Sequence, residues 1–371
     1  MPTDGVELCG YLDAAVGAGE AARRYLGALA AVGIPAKPRN VPLAGRDSAN
    51  SPLGGFRRGR GTHPRFNLFC LNPEQLGPYL ASRSAPEVRS RTNIGVWSWE
   101  VDVLPPGWRE ATHAVREIWT YSEFSAGLIA AATGAPVVAM HLPLALDDAP
   151  RLPAPDLPAG FRVLVMFDYL STIQRKNPLA AIAAYRSAFA PRDGARLIVK
   201  SMNATHRPDQ HDEVLRAAAG RDDITLIDGT VSGAERTGLI EAADCVLSLH
   251  RSEGFGLVLA EAIAAGRPVV ATGYGGNVEF MPAASTDLVR FEITEVGPGC
   301  EYYPPAARWA QPDVEHAASL LRAVFEDRET ASERARIARE NVTRQLAPER
   351  IGSLMRERFC ALGAPLIGHG R

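Results

Sequence analysis

Residues 244–272 pass through structure types in an order that few folds accommodate. Asp244-Cys245-Val246-Leu247-Ser248-Leu249-His250 is a short apolar run with the length of a buried strand. Pro268-Val269-Val270-Ala271-Thr272 is another. Between them lie a glycine-bearing loop, Ser252-Glu253-Gly254-Phe255-Gly256, and an apolar helical segment, Leu257-Val258-Leu259-Ala260-Glu261-Ala262. Strand, loop, helix, strand requires parallel pairing, because the two strands run the same way. In open α/β sheets ligands bind at the carboxyl ends of strands. Gly254 and Gly256 let the backbone approach a ligand, and the free amides opening the helix attract an anion. Glu253 and Glu261 do not bind that anion; carboxylates suit hydroxyl groups. Phosphate together with hydroxyls points to a nucleotide, a sugar, or both. Taken alone, Glu-Gly-Phe-Gly also fits a tight turn, and Glu261 an exposed helix position.

The same alternation runs through the chain, which predicts helix-covered parallel sheets. The first-half strands are expected at Val6–Tyr11, Arg65–Leu71, Ile94–Trp99, Ile118–Tyr121 and Pro136–His141. A helix is expected over Gly19–Val32, with Ala22, Tyr25, Leu26 and Leu29 at helical spacing. Second-half strands are expected at Phe161–Phe167, Ala195–Lys200, Ile224–Ile227, Cys245–Leu249 and Pro268–Ala271, with helices from about Pro312 onward. Pro150, Pro153, Pro155 and Pro158 mark an interdomain linker over 147–160. The expected division is a first Rossmann-like domain over 1–146, that linker, and a second domain over 161–347. A final helix over 348–371, with Ile351, Leu354, Met355 and Phe359 on one stripe, either crosses back to the first domain or closes the second. The Gly- and Arg-rich stretch 43–62, with Arg57, Arg58 and Arg60, reads as a surface loop that either meets anionic lipid or is simply solvated.

Composition removes several classes. A net charge of −2 makes no electrostatic case for nucleic acid. No apolar run reaches the ~20 residues a membrane span needs. The five cysteines are scattered without metal-ligand spacing, and several sit in apolar strand-like runs, which favours a reducing cytoplasm. Met1–Glu7 is polar and acidic, unlike a signal peptide.

Three blocks together resemble the retaining glycosyltransferases of family 4, which have the two-domain α/β GT-B fold. The first is Glu253 to Glu261, with seven residues between the acids. The second is Phe167-Asp168-Tyr169-Leu170-Ser171-Thr172-Ile173-Gln174-Arg175-Lys176-Asn177-Pro178. The third is Ala271-Thr272-Gly273-Tyr274-Gly275-Gly276-Asn277-Val278-Glu279-Phe280-Met281. The likeness is strong over about 161–285 and weaker at Gly10-Tyr11 through Arg23 and Gly95 through Trp108.

The resemblance implies a nucleotide-diphosphate sugar as co-substrate and no tightly bound cofactor. Arg175 and Lys176 would meet the diphosphate, as a planar fork and a compact charge. Basic residues at a helix start oppose its dipole, which itself favours a ligand there. Glu261 would accept from the ribose hydroxyls and Glu253 would lie near the donor sugar. The amides of Phe255, Gly256 and Leu257, beside Gly254, would hold the distal phosphate. The base would sit near Gly229, Thr230 and Val231. Lys200 and Asn203, and Asp168 and Ser171 at the neighbouring strand end, are further donor-site candidates. Gly17 and Gly19 would approach the donor phosphate from the facing domain. Trp97 and Trp99, with Glu100 on the opposite strand face, would meet the acceptor or the transferred sugar. Many relatives place a His near Glu100, so the polar partner there differs. Asn277 would reach substrate too. With no Asp-x-Asp triplet, no metal is expected. The resemblance also implies front-face transfer with retention, in which a phosphate oxygen takes the acceptor proton.

Two other classes stay open at this point: an epimerase-type isomerase on the same fold, and an inactive sugar-nucleotide-binding protein. A nicotinamide enzyme is less suited, since Gly17-Ala18-Gly19-Glu20-Ala21-Ala22 supplies only two glycines of Gly-x-Gly-x-x-Gly. GDP is weakly favoured over UDP by the Arg-Lys-Asn-Pro run. The expected acceptor is a glycan, a lipid-linked sugar or a secondary metabolite, with at most peripheral membrane contact.

Overall fold

The structure is a computed structural model that describes residues 4–43, 63–83, 85–144 and 157–363. The Arg-rich stretch from 44 to 62 and most of the Pro-rich linker lie outside the described residues. The chain divides into two compact units, Met1–Ala145 together with Arg344–Arg371, and Leu146–Thr343.

The first unit holds a six-stranded sheet ordered β2-β1-β3-β4-β5-β6. Its strands are β1 (Asp4–Gly10), β2 (Ala36–Asn40), β3 (His63–Cys70), β4 (Thr92–Val96), β5 (Glu117–Thr120) and β6 (Val137–Ala139). Every neighbouring pair is parallel. β2 is the strand that periodicity misses. Ala-Lys-Pro-Arg-Asn carries no apolar alternation, and its Pro38 is tolerated because β2 is an edge. The helix Gly17–Ala31 returns the chain from β1 and buries Ala22, Tyr25, Leu26 and Leu29. At Gly19 an added Cβ would stand 2.4 Å from the Tyr11 carbonyl oxygen, so this glycine lets the helix start close to the strand end.

The helix Pro348–Ala361 packs on this unit. Its Gly352 faces the Ala28 carbonyl, 2.3 Å from where a Cβ would stand. Phe359 lies 4.7 Å from the Phe66 ring and 5.3 Å from that of Trp119. Arg358 Nε donates to both oxygens of the buried Glu117 at 2.9 Å, and Trp119 Nε1 donates to the same carboxylate at 2.7 Å. A buried carboxylate needs such partners, because removing one leaves the charge uncompensated.

The second unit holds a six-stranded sheet ordered β12-β11-β10-β7-β8-β9. Its strands are β7 (Phe161–Asp168), β8 (Ala195–Met202), β9 (Ile224–Asp228), β10 (Cys245–Ser248), β11 (Val269–Thr272) and β12 (Asp287–Val289), all paired in parallel. An antiparallel hairpin, β13 (Phe291–Glu295) with β14 (Arg308–Pro312), follows the sheet. Pro312 therefore closes a strand. The next helix, Val314–Glu326, starts from an Asp313 cap that accepts from the His316 amide.

Each sheet has a point where strand order reverses. In the first unit it lies between β1 and β3, in the second between β7 and β10. Loops leaving the carboxyl ends of the flanking strands splay apart there and leave a crevice. No helix among the described residues is long and apolar enough to cross a membrane.

Candidate active site

The reversal point of the second sheet collects the charged residues of the loops after β7 and β10. Lys176 Nζ donates to Glu253 Oε1, and Arg175 Nη1 stands 3.3 Å from the same oxygen. Glu253 is 9% exposed. Burial by itself would raise its carboxyl; the Lys176 and Arg175 charges outweigh that and hold it at about 2. The carboxylate is thus ionised across the working pH range.

Arg175 is also a structural tie. Its guanidinium donates to the Ser252 carbonyl at 3.0 Å and to the Ser171 carbonyl at 3.2 Å. Asn177 donates to the Leu249 carbonyl at 2.9 Å. The bonds to Ser252 and Leu249 lash the β7 loop to the β10 loop. Gly276 N donates to the Glu253 carbonyl at 2.8 Å. Gly275, at φ 111°, lies so close that a Cβ would stand 2.5 Å from that oxygen. Asn277 is fully buried and donates to the Thr272 carbonyl at 3.0 Å. It shapes the third loop from inside, and its amide points away from solvent.

The loop after β10 turns at Gly256, φ 90°, and opens the helix Leu257–Ala264 with no side-chain cap. Its first amides therefore point at the crevice without a side chain to satisfy them. Phe255 is buried against Phe280, ring centroids 5.1 Å apart. Glu261, one helical stretch further on, accepts from Arg236 Nη2 at 2.9 Å. Arg236 rides on the helix Gly233–Ala242, which is fixed by a Ser232/Glu235 capping box.

Two further groups stand at the ends of β7, β8 and β9. Asp168 accepts from Asn203 Nδ2 at 2.7 Å and from the Leu170 amide at 2.9 Å, with Ser171 Oγ at 3.4 Å. Lys200 is 3% exposed and donates to the Ser201 carbonyl at 2.6 Å and to the Gly229 carbonyl. Burial pushes its ammonium down, against the pull of Asp228 and Glu235. Lys200 thus fixes the Gly229 turn, where φ is 128°, and these bonds go to backbone rather than toward Glu253. Thr230 is exposed and Val231 half-buried in the turn that follows.

Backbone strain gathers here as well. Thr172, Asn177 and Asn203 have φ of 66°, 53° and 68°, and are the non-glycine residues in the left-handed region among the described residues. Asparagine tolerates this; β-branched threonine does not. Such outliers cost about 1–3 kcal/mol each and persist where the surroundings impose them.

Sequence reasoning missed Arg236, Arg251 and His250. Arg251 ties the segments around it, and its carbonyl accepts from the Ala310 amide at 2.8 Å. Its amide donates to the Arg175 carbonyl at 2.7 Å, Nη1 to Gln174 O at 2.6 Å, and Nε to Gln311 Oε1 at 2.8 Å, while the guanidinium covers Trp309. His250 is fully buried between Ser248 Oγ and the Tyr274 carbonyl, each at 3.0 Å, and burial lowers its pKa. Adjacency to Ser252-Glu253 was the available signal for both.

The first-unit candidates sit differently. β4 ends at Val96, so strand alternation does not reach the Trp97–Glu100 segment. Trp97 and Trp99 are 0% and 1% exposed, their rings 5.5 and 5.2 Å from Trp108. Trp99 Nε1 donates to the Val103 carbonyl at 3.0 Å. Both indoles are core, and neither presents an open face. Glu100 is half-buried, and its charge adds to the burial and the Cys70 influence that raise the Tyr121 phenol. At Gly17 an added Cβ would meet nothing within 4 Å, so no steric reason demands glycine there. Among the described residues no group of His, Cys, Asp and Glu is placed to hold a metal.

Two parallel six-stranded α/β sheets, one with this site at its reversal point, make up the GT-B fold. The chain belongs to the family described as family 4 glycosyltransferases in conflict systems, whose model matches residues 122–352. It is 37% identical over 123 residues to a D-inositol 3-phosphate glycosyltransferase of Arthrobacter sp. (strain FB24). That match covers 32% of this chain and 28% of the relative, less than a third of the relative's length. Among solved structures, a glycosyltransferase from Rickettsia africae is similar with a TM-score of 0.66 at 13% identity, covering 98% of this chain and 99% of that one. HepE of Anabaena, solved in complex with UDP and glucose, gives 0.64 at 12% identity, covering 96% and 100%. At those identities the likeness carries the fold alone.

Proposed function

We infer that the protein transfers a sugar from a nucleoside diphosphate sugar to an acceptor hydroxyl, with retention at the anomeric carbon. The observation that carries this reading is the ionised Glu253, held by Lys176 and Arg175 beside an uncapped helix start, with Glu261 on the same helix. Family membership supports it.

Breaking a sugar–phosphate bond builds positive charge on the ring and negative charge on the leaving diphosphate. Lys176 and the amides at Phe255–Leu257 stabilise the diphosphate where its charge develops. Lys176 leaves its bond to Glu253 for a phosphate oxygen, and Glu253 then accepts from donor sugar hydroxyls. Arg175 keeps the two loops in register and adds its charge to the diphosphate site. Glu261 accepts from the ribose. The acceptor hydroxyl approaches on the leaving-group side and passes its proton to a phosphate oxygen. These cations supply the charge stabilisation, so no divalent ion is assigned a role. An isomerase would need an acid/base pair at the sugar, and both nitrogens of His250, the histidine nearest Glu253 in sequence, are engaged within the fold.

The deciding experiment is thermal-shift stabilisation by GDP, UDP, ADP and TDP, with and without a chelator, since selective binding stabilises the folded state. One nucleotide raising Tm equally in both conditions supports the reading and fixes the base. Anomeric configuration of the product by NMR then tests retention. No shift with any diphosphate overturns the donor-site assignment.

A further inference from the structure

The first sheet carries a second charged centre, away from its strand ends. Glu7, in the middle of β1, is fully buried. Its register partners are Lys37 on β2 and Asn67 on β3, so one face of the sheet bears a polar row where apolar side chains are the rule. Four cations converge on this one carboxylate. Arg39 pairs with Oε1, Arg83 stands 2.8 Å from Oε1, Arg91 3.1 Å from Oε2, and Lys37 3.4 Å from Oε2. Arg91 is further held by Asn67 Oδ1 at 3.0 Å, and Arg83 by Glu87 at 2.7 Å. Four cations thus face two carboxylates. Arg83 and Arg91 side chains are 13% and 12% exposed, whereas Lys37 and Arg39 are 47% and 32% exposed and form the open side.

One buried carboxylate is neutralised by one cation. Additional cations brought into the same partly desolvated place repel one another, and holding them there costs stability unless an anion completes the set. Charges and a proline on an edge strand discourage pairing with another chain; Lys37 and Arg39 in addition meet the buried Glu7. The guanidiniums are held in position by Glu87 and Asn67 and, among the described residues, have N–H groups left over, the arrangement that suits a phosphate oxygen fork.

We propose that Lys37, Arg39, Arg83 and Arg91 form a binding site for a phosphate group, free or carried on a small metabolite, with Glu7 as the internal counterion that keeps the site assembled when empty. The site lies within the first unit and does not depend on the sugar-transfer reading.

The test is a melting titration of the full chain with inorganic phosphate and with glucose 6-phosphate, at ionic strength matched by sodium chloride. A saturable rise in Tm of about 3 °C or more is expected for at least one of them. Whichever phosphate binds tighter tells whether the group is recognised alone or on a carbon skeleton. The double variant Lys37→Gln/Arg39→Gln, altered only at the open side, should bind at least tenfold more weakly while its response to nucleoside diphosphates is unchanged. Glu7→Gln should melt lower than the parent in chloride and recover in phosphate, because the added anion replaces the lost counterion. No rise beyond the chloride control overturns the proposal, as does an undiminished phosphate response in the double variant. If Glu7→Gln does not fold, the double variant decides alone.

Discussion

Both units contain six parallel strands and one reversal of strand order, yet they use their charges in opposite ways. In the second unit the buried ionic group sits at the reversal point, on loops, with three non-glycine residues in left-handed backbone around it. In the first unit the buried carboxylates Glu7 and Glu117 sit inside strands, and no described non-glycine residue takes a positive φ. Topology alone therefore does not fix where buried charge is placed. What differs is that the second unit places ionised groups on strained loops whose geometry is held by backbone bonds from Arg175, Asn177 and Arg251.

Breaking a buried pair in the first unit should act on stability. Arg358→Ala leaves Glu117 charged and buried, at an expected cost of about 3–5 kcal/mol, read as a lower denaturant midpoint with normal activity per folded molecule. In the second unit the mirror experiment is Lys176→Ala. Turnover should fall by roughly 10²–10³-fold, the scale for losing one preorganised charge partner, a larger effect than the drop in Tm that follows from leaving the buried Glu253 with Arg175 as its close cation. A variant as active as the parent would sink the diphosphate assignment. Arg175→Ala should lose both activity and stability, because its guanidinium also holds Ser171 and Ser252.

Acid should test the Glu253 ion pairs in the second unit. The Glu253 carboxyl lies at about 2 in the fold against 4.5 ordinarily. A depressed carboxyl contributes stability that is fully present above 4.5 and is lost as pH falls toward 2, on the order of 3 kcal/mol at most. Denaturant melts between pH 5 and 2.5 should show that loss in the parent and a smaller one in Glu253→Gln; equal slopes would refute it. The smallest effect is expected at Thr172. Thr172→Gly relieves a left-handed threonine while adding unfolded-state entropy, for a net gain of about 1 kcal/mol, checked by urea melts. A loss of stability would mean that the Thr172 side chain contributes more than its strain removes.

The second unit was largely legible from sequence. Glu253, Glu261, Arg175 and Lys176 fall in motifs whose spacing places them, and continuous apolar runs marked β7, β8, β10 and β11. The first unit was less so. β2 carries lysine, proline and arginine because it is an edge, so it has no hydrophobic signal. Trp97 and Trp99 look like an acceptor platform only if the strand continues through them, and it stops at Val96. Lys200 and Asn277 point inward, to backbone carbonyls, which strand-end position does not reveal. Glu7 follows Val6 and precedes Leu8, so alternation assigns it to a solvated face. Its cations come from segments 30 to 84 residues away, a separation no local pattern records.

The helix Pro348–Ala361 has a further consequence, for the order in which the chain acquires its structure. A ribosome delivers the first sheet early, but Phe66, Trp119 and Glu117 wait for Phe359 and Arg358. The second unit is one uninterrupted segment, complete once Thr343 has emerged. Domains usually mature from the amino end during synthesis. Here the second unit can close first, and the nascent first unit carries an unmet apolar surface and a buried acid short of its arginine until residues 348–361 have emerged.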